Sequence, residues 1–316
     1  MKIYKQLYFF ALILLVTVAV TSCGSDDNEI PVVNNPILTA GVIPQNRIEV
    51  PKLQSGNLFV VHKTKEGNDS VMTYCLEYDP SKSHNRWVAF RFDEVTRKKN
   101  VTRSEEPFAD DPDLPKMYNI GNGGFGVNYY PVNSSLTQKK LESGNFSRGH
   151  ICASADRLYS SDANVQTFYM TNMSPQTNTF NAGIWLALEQ KVQALGRNQA
   201  FSDTLYVTKG GTISDDKIWG YVARNVNDAR VAIPKYYYMA LLSVKNGSYN
   251  AIGFCIEHNL DYQYPSSETV KSGELKEHVV TIDELETITG IDFFHNLPDD
   301  IEQKVESTCN AADWWL

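Results

Sequence analysis

Ser147-Arg148-Gly149-His150, then Asn172-Met173-Ser174-Pro175-Gln176, then Asn181-Ala182-Gly183-Ile184-Trp185 running on to Leu188-Glu189, is the stretch on which the reading of this chain turns. From Asn181 to Leu195 the apolar residues Ile184, Trp185, Leu188, Val192 and Leu195 recur at helical spacing, and Gly196 ends the run. Asn181 stands at the expected start of this helix, where asparagine is a favoured cap. Glu189 lies eight residues on, about 12 Å along the axis. Its side chain leans back toward the helix N-terminus, and so toward Asn181. Arg148 and His150 are two residues apart, which puts them on one face if their segment is extended.

Outward from this stretch, residues 57–63, 72–78 and 87–92 are rich in β-formers and predict three strands, with a loop over 79–85. Residues 98–131 are polar, with Pro107, Pro112 and Pro115, and predict a long surface loop. Within it Gly121-Asn122-Gly123-Gly124-Phe125-Gly126 matches the letters of a dinucleotide fingerprint. The flanks lack the strand and helix that such a site needs, so the segment reads as a loop. Further strands are expected at 205–208, 236–244 and 249–256. A helix is expected at 281–289, opened by the capping-box pair Thr281 and Glu284. Strands and helices mix without regular alternation, so the fold class is α+β: a central, largely antiparallel sheet flanked by helices.

The first residues do not belong to that fold. Lys2 and Lys5 precede an apolar run from Leu7 to Val20, too short to span a bilayer comfortably and flanked like a secretory signal. Thr21-Ser22-Cys23 follows and resembles a bacterial lipobox, which implies lipidation at Cys23 and a membrane anchor. Residues 1–23 are thus read as signal peptide and lipobox, and 24–47, polar and Pro-containing, as a flexible tether. The acidic Ser25-Asp26-Asp27 resembles export signals of surface lipoproteins, so the expected location is outside the cell's cytoplasm, anchored to the outer membrane. Residues 48–316 are read as one domain.

Four cysteines remain after Cys23, namely Cys75, Cys152, Cys255 and Cys309. An exported chain permits zero to two disulfides among them, and spacing does not choose a pairing. No CxxC or HExxH pattern points to zinc. The 29 basic residues against 37 acidic ones leave a net charge of −8. This disfavours broad electrostatic capture of a polyanion and leaves room only for a local basic track. Lys98, Lys99, Arg103, Lys139, Lys140, Arg148 and Arg157 are its candidate members.

The chemistry of the central stretch suits hydrolysis at phosphorus. That reaction needs a base for water, a cation to neutralise the phosphoryl oxygens and relief for the leaving oxygen. Histidine is the side chain whose ordinary pKa lies nearest neutrality. Arginine holds a phosphate with its planar fork. A neutral amide oxygen can bind Mg²⁺, a hard cation that keeps most of its waters, and leaves the ion its full charge. Taken singly, His150 is a histidine like any other, Asn181 a helix cap and Glu189 a surface charge. His62, His84, His258, His278 and His295 have no comparable neighbours in sequence.

Arg-Gly-His followed about thirty residues later by Asn-x-Gly-x-Trp-x-x-Leu-Glu resembles the DNA/RNA non-specific endonuclease family. The resemblance extends from about residue 72 to the C-terminus. It takes in 85–91, Thr102-Arg103 with the Pro107–Pro112 loop, 233–238, and 281–297. It implies a His-Me finger (ββα-metal) site with His150 as general base and Asn181 as the direct protein ligand of Mg²⁺, for which Mn²⁺ can substitute. It also implies Glu189 as the acid ordering water around the ion, and Arg148 and Arg103 as phosphate or transition-state contacts. Asn172 and Gln176 would be polar substrate-side or supporting residues. DNA and RNA would be the substrates, cut without sequence preference because phosphate and sugar contacts carry no sequence information. One departure is Ser147, where the family motif usually has Asp. With the acidic surface, it keeps open the alternative of a weak or inactive nucleic-acid- or glycan-binding surface lipoprotein. Oligomeric state is not legible.

Overall fold

Large apolar residues alternating from face to face build three antiparallel strands: β1 (Leu58–Glu66), β2 (Asp69–Asp79) and β3 (His84–Phe92). The structure, a computed structural model, describes residues 47–105, 108–120, 130–132, 146–223, 229–259 and 266–316, with backbone alone at 130–132, 223, 229 and 230. Cys23 with its leader, nearly all of the tether, the loop 121–126, and Lys139 and Lys140 lie outside the described residues. The expected loop 79–85 shrinks to residues 80–83, because Asp79, His84 and Asn85 pair within the strands. The turn closes on the Asp79 carboxylate, which accepts the Ser81 N–H at 2.8 Å.

The chain continues through β4 (Tyr130–Val132), β5 (Phe146–His150), α1 (Ser161–Gln166), β6 (Met173–Thr177), α2 (Asn178–Phe180) and α3 (Leu186–Arg197). It then adds β7 (Thr204–Gly211), β8 (Ile218–Ala223), β9 (Ala229–Pro234), β10 (Tyr236–Lys245) and β11 (Ser248–Glu257). It closes with α4 (Ser272–Lys276), β12 (Val279–Val280), α5 (Ile282–Thr289) and α6 (Asp299–Glu306). Seven strands form the main sheet in the order β1-β2-β3-β7-β10-β11-β12, each pair antiparallel. A second sheet, β4-β8-β9, and the hairpin β5-β6 stand beside it. The α+β class with a largely antiparallel sheet is the one expected.

Period-two alternation gives the main sheet two apolar faces. Val88, Phe90 and Phe92 of β3 join Val207, Met239 and Leu241 under Ile184, Trp185, Leu188, Val192 and Leu195 of the long helix. Trp87 and Ala89 point the other way, and with Tyr238, Ala240 and Leu242 they pack on Ile282, Leu285, Phe293 and Val305. The α5 boundaries follow the expected capping box. Thr281 Oγ1 accepts the Glu284 N–H at 3.1 Å, the Glu284 carboxylate accepts the Thr281 N–H at 2.8 Å, and Gly290 ends the helix at φ 67°. Among the described residues the four cysteines are free thiols, Cys75 and Cys152 in the core.

Two expectations fail through burial. Arg157, a candidate for the basic track, is fully buried; it donates to the Thr73 and Arg91 carbonyls and lies over the rings of Phe90 and Phe92. It is a core strut and meets no solvent. The segment 98–131 is not all surface either. Asp111 and Leu114 are buried, and Ala109 bridges to Tyr169.

Asp111 and Asp113 thereby reach His62 on β1, a histidine whose sequence neighbours promised nothing. Its Nε2 meets Asp111 at 3.0 Å and its Nδ1 meets Asp113 at 3.2 Å, while Tyr74 and Tyr169 cover the ring. Burial alone would lower the imidazole pKa, but the two carboxylates overcome it and raise the value to about 9. With a carboxylate on each nitrogen, the ring is a buried imidazolium clamped between acids. Because the folded pKa lies above the unfolded 6.5, the clamp stabilises fully below pH 6.5 and is lost as pH rises through about 9. Stability is therefore expected to fall by on the order of 3 kcal/mol across that window. Urea melts at pH 6 and pH 10 check this, and His62→Gln should remove most of the difference.

Candidate active site

Gly149 and Pro175 make β5 and β6 poor strand sequences, yet they pair in register, with Arg148 opposite Pro175 and His150 opposite Met173. The hairpin persists because its buried side is apolar: Phe146, Met170 and Met173 pack on Val222, Val231 and Ile233. Asn172 fastens its far end. Its amide donates to the Cys152 and Thr167 carbonyls at 2.9 and 2.7 Å and accepts the Cys152 N–H at 2.8 Å. Fully buried and with both amide hydrogens spent, Asn172 holds the hairpin and does not reach a substrate. Its expected substrate-side role is corrected accordingly.

The helix that follows starts earlier than expected. Thr177 precedes α2, so Asn181 lies one turn inside and not at the cap. The turn from Asn181 to Trp185 is widened, with Gly183 at φ −98°, ψ −110°, before α3 resumes regular geometry. Such widened turns are frequent at functional sites. His258 pins the start of the segment: its Nε2 accepts the Thr177 N–H at 2.9 Å and its Nδ1 donates to the Pro234 carbonyl at 2.9 Å. Ser147 adds a second tie by donating its hydroxyl to the Asn178 side-chain oxygen. The hydroxyl at this departure from the family motif therefore binds the hairpin to the helix that carries Asn181.

An aromatic wall arranges the basic groups. His150 meets Phe168 edge-on at 5.2 Å and Phe108 at 5.8 Å. Arg148 lies 4.0 Å over the Phe108 ring, and the exposed Arg103 lies 4.9 Å over Phe168. Two phenylalanines thus gather Arg103, His150 and Arg148, as the spacing of Arg148 and His150 predicts. Neither arginine forms an ion pair with a described residue, and burial lowers the Arg148 pKa. His150 is half-buried, and its Nε2 is enclosed without a hydrogen-bond partner among the described residues. Burial first, then the positive charges of Arg103, Lys209 and Arg148 against the opposing Asp156, lower its pKa to about 3. The ring is therefore neutral, the form that accepts a proton.

Trp185 and Glu189 stand four residues apart and form a column on the helix, and Asn181 lies one widened turn before Trp185. The Trp185 indole donates to the His150 carbonyl at 3.4 Å, which seats the column against the end of β5. The Asn181 amide has no hydrogen-bond partner among the described residues. Glu189 is not the surface charge of a lone-residue reading. It is buried, 3.4 Å from Lys209 Nζ, and Lys209 is held at 2.8 Å by the buried Asp156. Burial raises the Glu189 pKa to about 8, with Asp156 adding to the rise and Lys209 opposing it. Asp156 also accepts the Gln193 amide at 3.0 Å and the Ala153 N–H at 2.9 Å.

Asp156 and Lys209 had no signal in the sequence, since a lone lysine after a strand run reads as solvated. Gln176, expected as a substrate-side or supporting residue, lies on β6 opposite Ser147, where it is fully buried and packs over Gly149. A β-carbon at 149 would sit 2.1 Å from its Oε1, which is why glycine stands there. Both amide atoms of Gln176 lack partners among the described residues.

A partnerless amide oxygen on Asn181 fits a hard divalent cation that keeps most of its water. The Glu189 carboxylate, tied to Lys209, fits a supporting position better than a direct one. Among the described residues, His62 with its two aspartates also brings three ligand-type atoms within 4.8 Å, and in the structure each ring nitrogen is paired with a carboxylate.

Comparison with known proteins agrees with this architecture. The profile of the DNA/RNA non-specific endonucleases matches residues 54–300. The mitochondrial nuclease EXOG of Xenopus laevis is 27% identical over 235 residues, covering 72% of this chain and 58% of that protein. This chain therefore spans less than two thirds of that relative's length. A nuclease of a Nostoc species is 25% identical over 234 residues, covering 74% of this chain and 75% of the relative. A crystal structure of the EndoG/EndoGI complex shares the fold with a TM-score of 0.53 at 18% identity, over 76% of this chain and 88% of that one. With the profile covering most of its length, the chain belongs to the DNA/RNA non-specific endonuclease family.

Proposed function

We propose that this protein is an exported endonuclease that hydrolyses phosphodiester bonds of DNA and RNA without sequence preference, with Mg²⁺ as cofactor. The observation that carries the reading is the wall that gathers a neutral imidazole and two guanidinium groups without an ion pair among the described residues, with Trp185 tying the helix that carries Asn181 and Glu189 to the end of β5. Family membership supports it. Mg²⁺, or Mn²⁺ in its place, would be held by Asn181 and would supply positive charge for the phosphoryl oxygens and the leaving oxygen.

His150 acts as general base. With Nε2 enclosed, Nδ1 is the ring nitrogen able to take a proton from water. Arg148 and Arg103 orient the phosphate, their faces fixed on Phe108 and Phe168 so that their N–H edges remain for the substrate. Glu189, braced by Lys209, orders solvent along the helix column. The leader and Cys23 support a lipid anchor in the outer membrane, which would place the enzyme where extracellular nucleic acid arrives.

Purified protein with Mg²⁺ is expected to degrade both plasmid DNA and structured RNA, to stop on addition of EDTA and to resume with excess Mg²⁺ or Mn²⁺. Binding of either polymer without cleavage would favour the rival reading of an inactive binding lipoprotein. Faster turnover of a small phosphodiester than of the polymer would make the substrate something other than nucleic acid.

A further inference from the structure

Across the main sheet from α3, three carboxylates converge that the proposed hydrolysis does not use. Asp283 and Glu286 stand three residues apart on α5, and Glu306 is the last residue of α6. One oxygen from each lies within 4.8 Å of the other two. Glu306 is only 6% exposed, and its Oε1 is enclosed with no hydrogen-bond partner among the described residues. Glu286 is held in place by the Phe293 N–H, which donates to its Oε1 at 2.7 Å.

The charges acting most strongly on Glu306 are all negative: Glu286, Glu302, Asp283 and Asp292. Lys52, the nearby cation, is exposed and paired with Asp292 at 3.3 Å. A buried oxygen lacks a donor among the described residues, and Lys52, the cation beside the cluster, is already paired with Asp292. One hard cation would meet the oxygen and offset the charge.

We infer that Asp283, Glu286 and Glu306 form a calcium site that clamps α6 to α5. Carboxylates on two separate helices, completed by water, suit the adaptable shell of six to eight oxygens that Ca²⁺ takes. Ligand oxygens within 4.8 Å of one another can share one ion at Ca–O bonds of about 2.3–2.6 Å. Asp283 and Glu286 lie inside the family match, and Glu306 lies beyond residue 300, where it ends.

The test uses the full chain carrying Asn181→Ala, so that an ion at the proposed nuclease centre does not contribute. After chelation, millimolar Ca²⁺ is expected to raise Tm by about 5 °C. In the same background Glu306→Gln is expected to abolish that rise and to melt higher than its parent in chelator, because a repelling charge is gone. Asp283→Asn, at an exposed position that folding tolerates, is expected to shift the Ca²⁺ titration about tenfold to higher concentration. A Tm that ignores Ca²⁺, or a Glu306→Gln or Asp283→Asn variant that responds like its parent, overturns the site. A rise with Mg²⁺ as large as with Ca²⁺ overturns its assignment to calcium.

Discussion

Replacing His150 by alanine is expected to slow DNA cleavage at saturating Mg²⁺ by a factor of about 10²–10⁴, the usual contribution of a positioned general base. The reason is specific to the site. The neutral ring stands between Phe108 and Phe168 with both arginines at its flanks, and no other imidazole is placed there. His62, His84 and His258 are each engaged at both ring nitrogens by other groups, so none can take over. The substitution should leave the fold intact. Nε2 gives up no hydrogen bond to a described residue, and the His150 carbonyl that receives the Trp185 indole is backbone. Initial rates on supercoiled plasmid, with Tm measured on the same samples, separate loss of chemistry from loss of structure.

Lys209→Met is expected to destabilise the protein by about 3–5 kcal/mol, the cost of leaving buried charge uncompensated, and so to lower Tm by on the order of 10 °C. Lys209 is fully buried, and its ammonium stands between Asp156 and Glu189. Removing it abandons two carboxylates in the core. Glu189→Gln should behave differently. Asp156 keeps Lys209 at 2.8 Å, and the raised Glu189 pKa shows that the folded protein already disfavours the ion there. Tm is expected to change little while cleavage falls at least tenfold, since supporting residues around metal sites typically carry effects of that size. Chemical denaturation of both variants, with cleavage rates, checks the contrast. Equal loss of stability in both would mean that Glu189 is only structural.

The strands of the main sheet were legible because each is long, rich in β-formers and alternating, and the α5 box was legible because its capping chemistry is local. The β5-β6 hairpin was not. Glycine and proline weaken its pattern, and its stability comes from Val222, Val231 and Ile233, far along the chain. Asn181 was legible as a residue and misplaced as a cap, because the helix begins three residues earlier at a polar Asn178 with no apolar periodicity of its own. Arg157 read as a member of a basic track and Lys209 gave no signal, and only the folded chain supplies what buries them: aromatic rings and two carbonyls for one, two carboxylates for the other. His62 was illegible for the same reason, its partners arriving from a segment that looked like loop.

Plasmid cleavage followed across a Mg²⁺ titration for the parent, His150→Ala and Asn181→Ala tests the central claim most directly. The account predicts that Asn181→Ala shifts the Mg²⁺ requirement upward. It predicts that His150→Ala keeps the parent's requirement and loses the plateau rate. An unshifted Mg²⁺ curve for Asn181→Ala, or an undiminished plateau for His150→Ala, would contradict it.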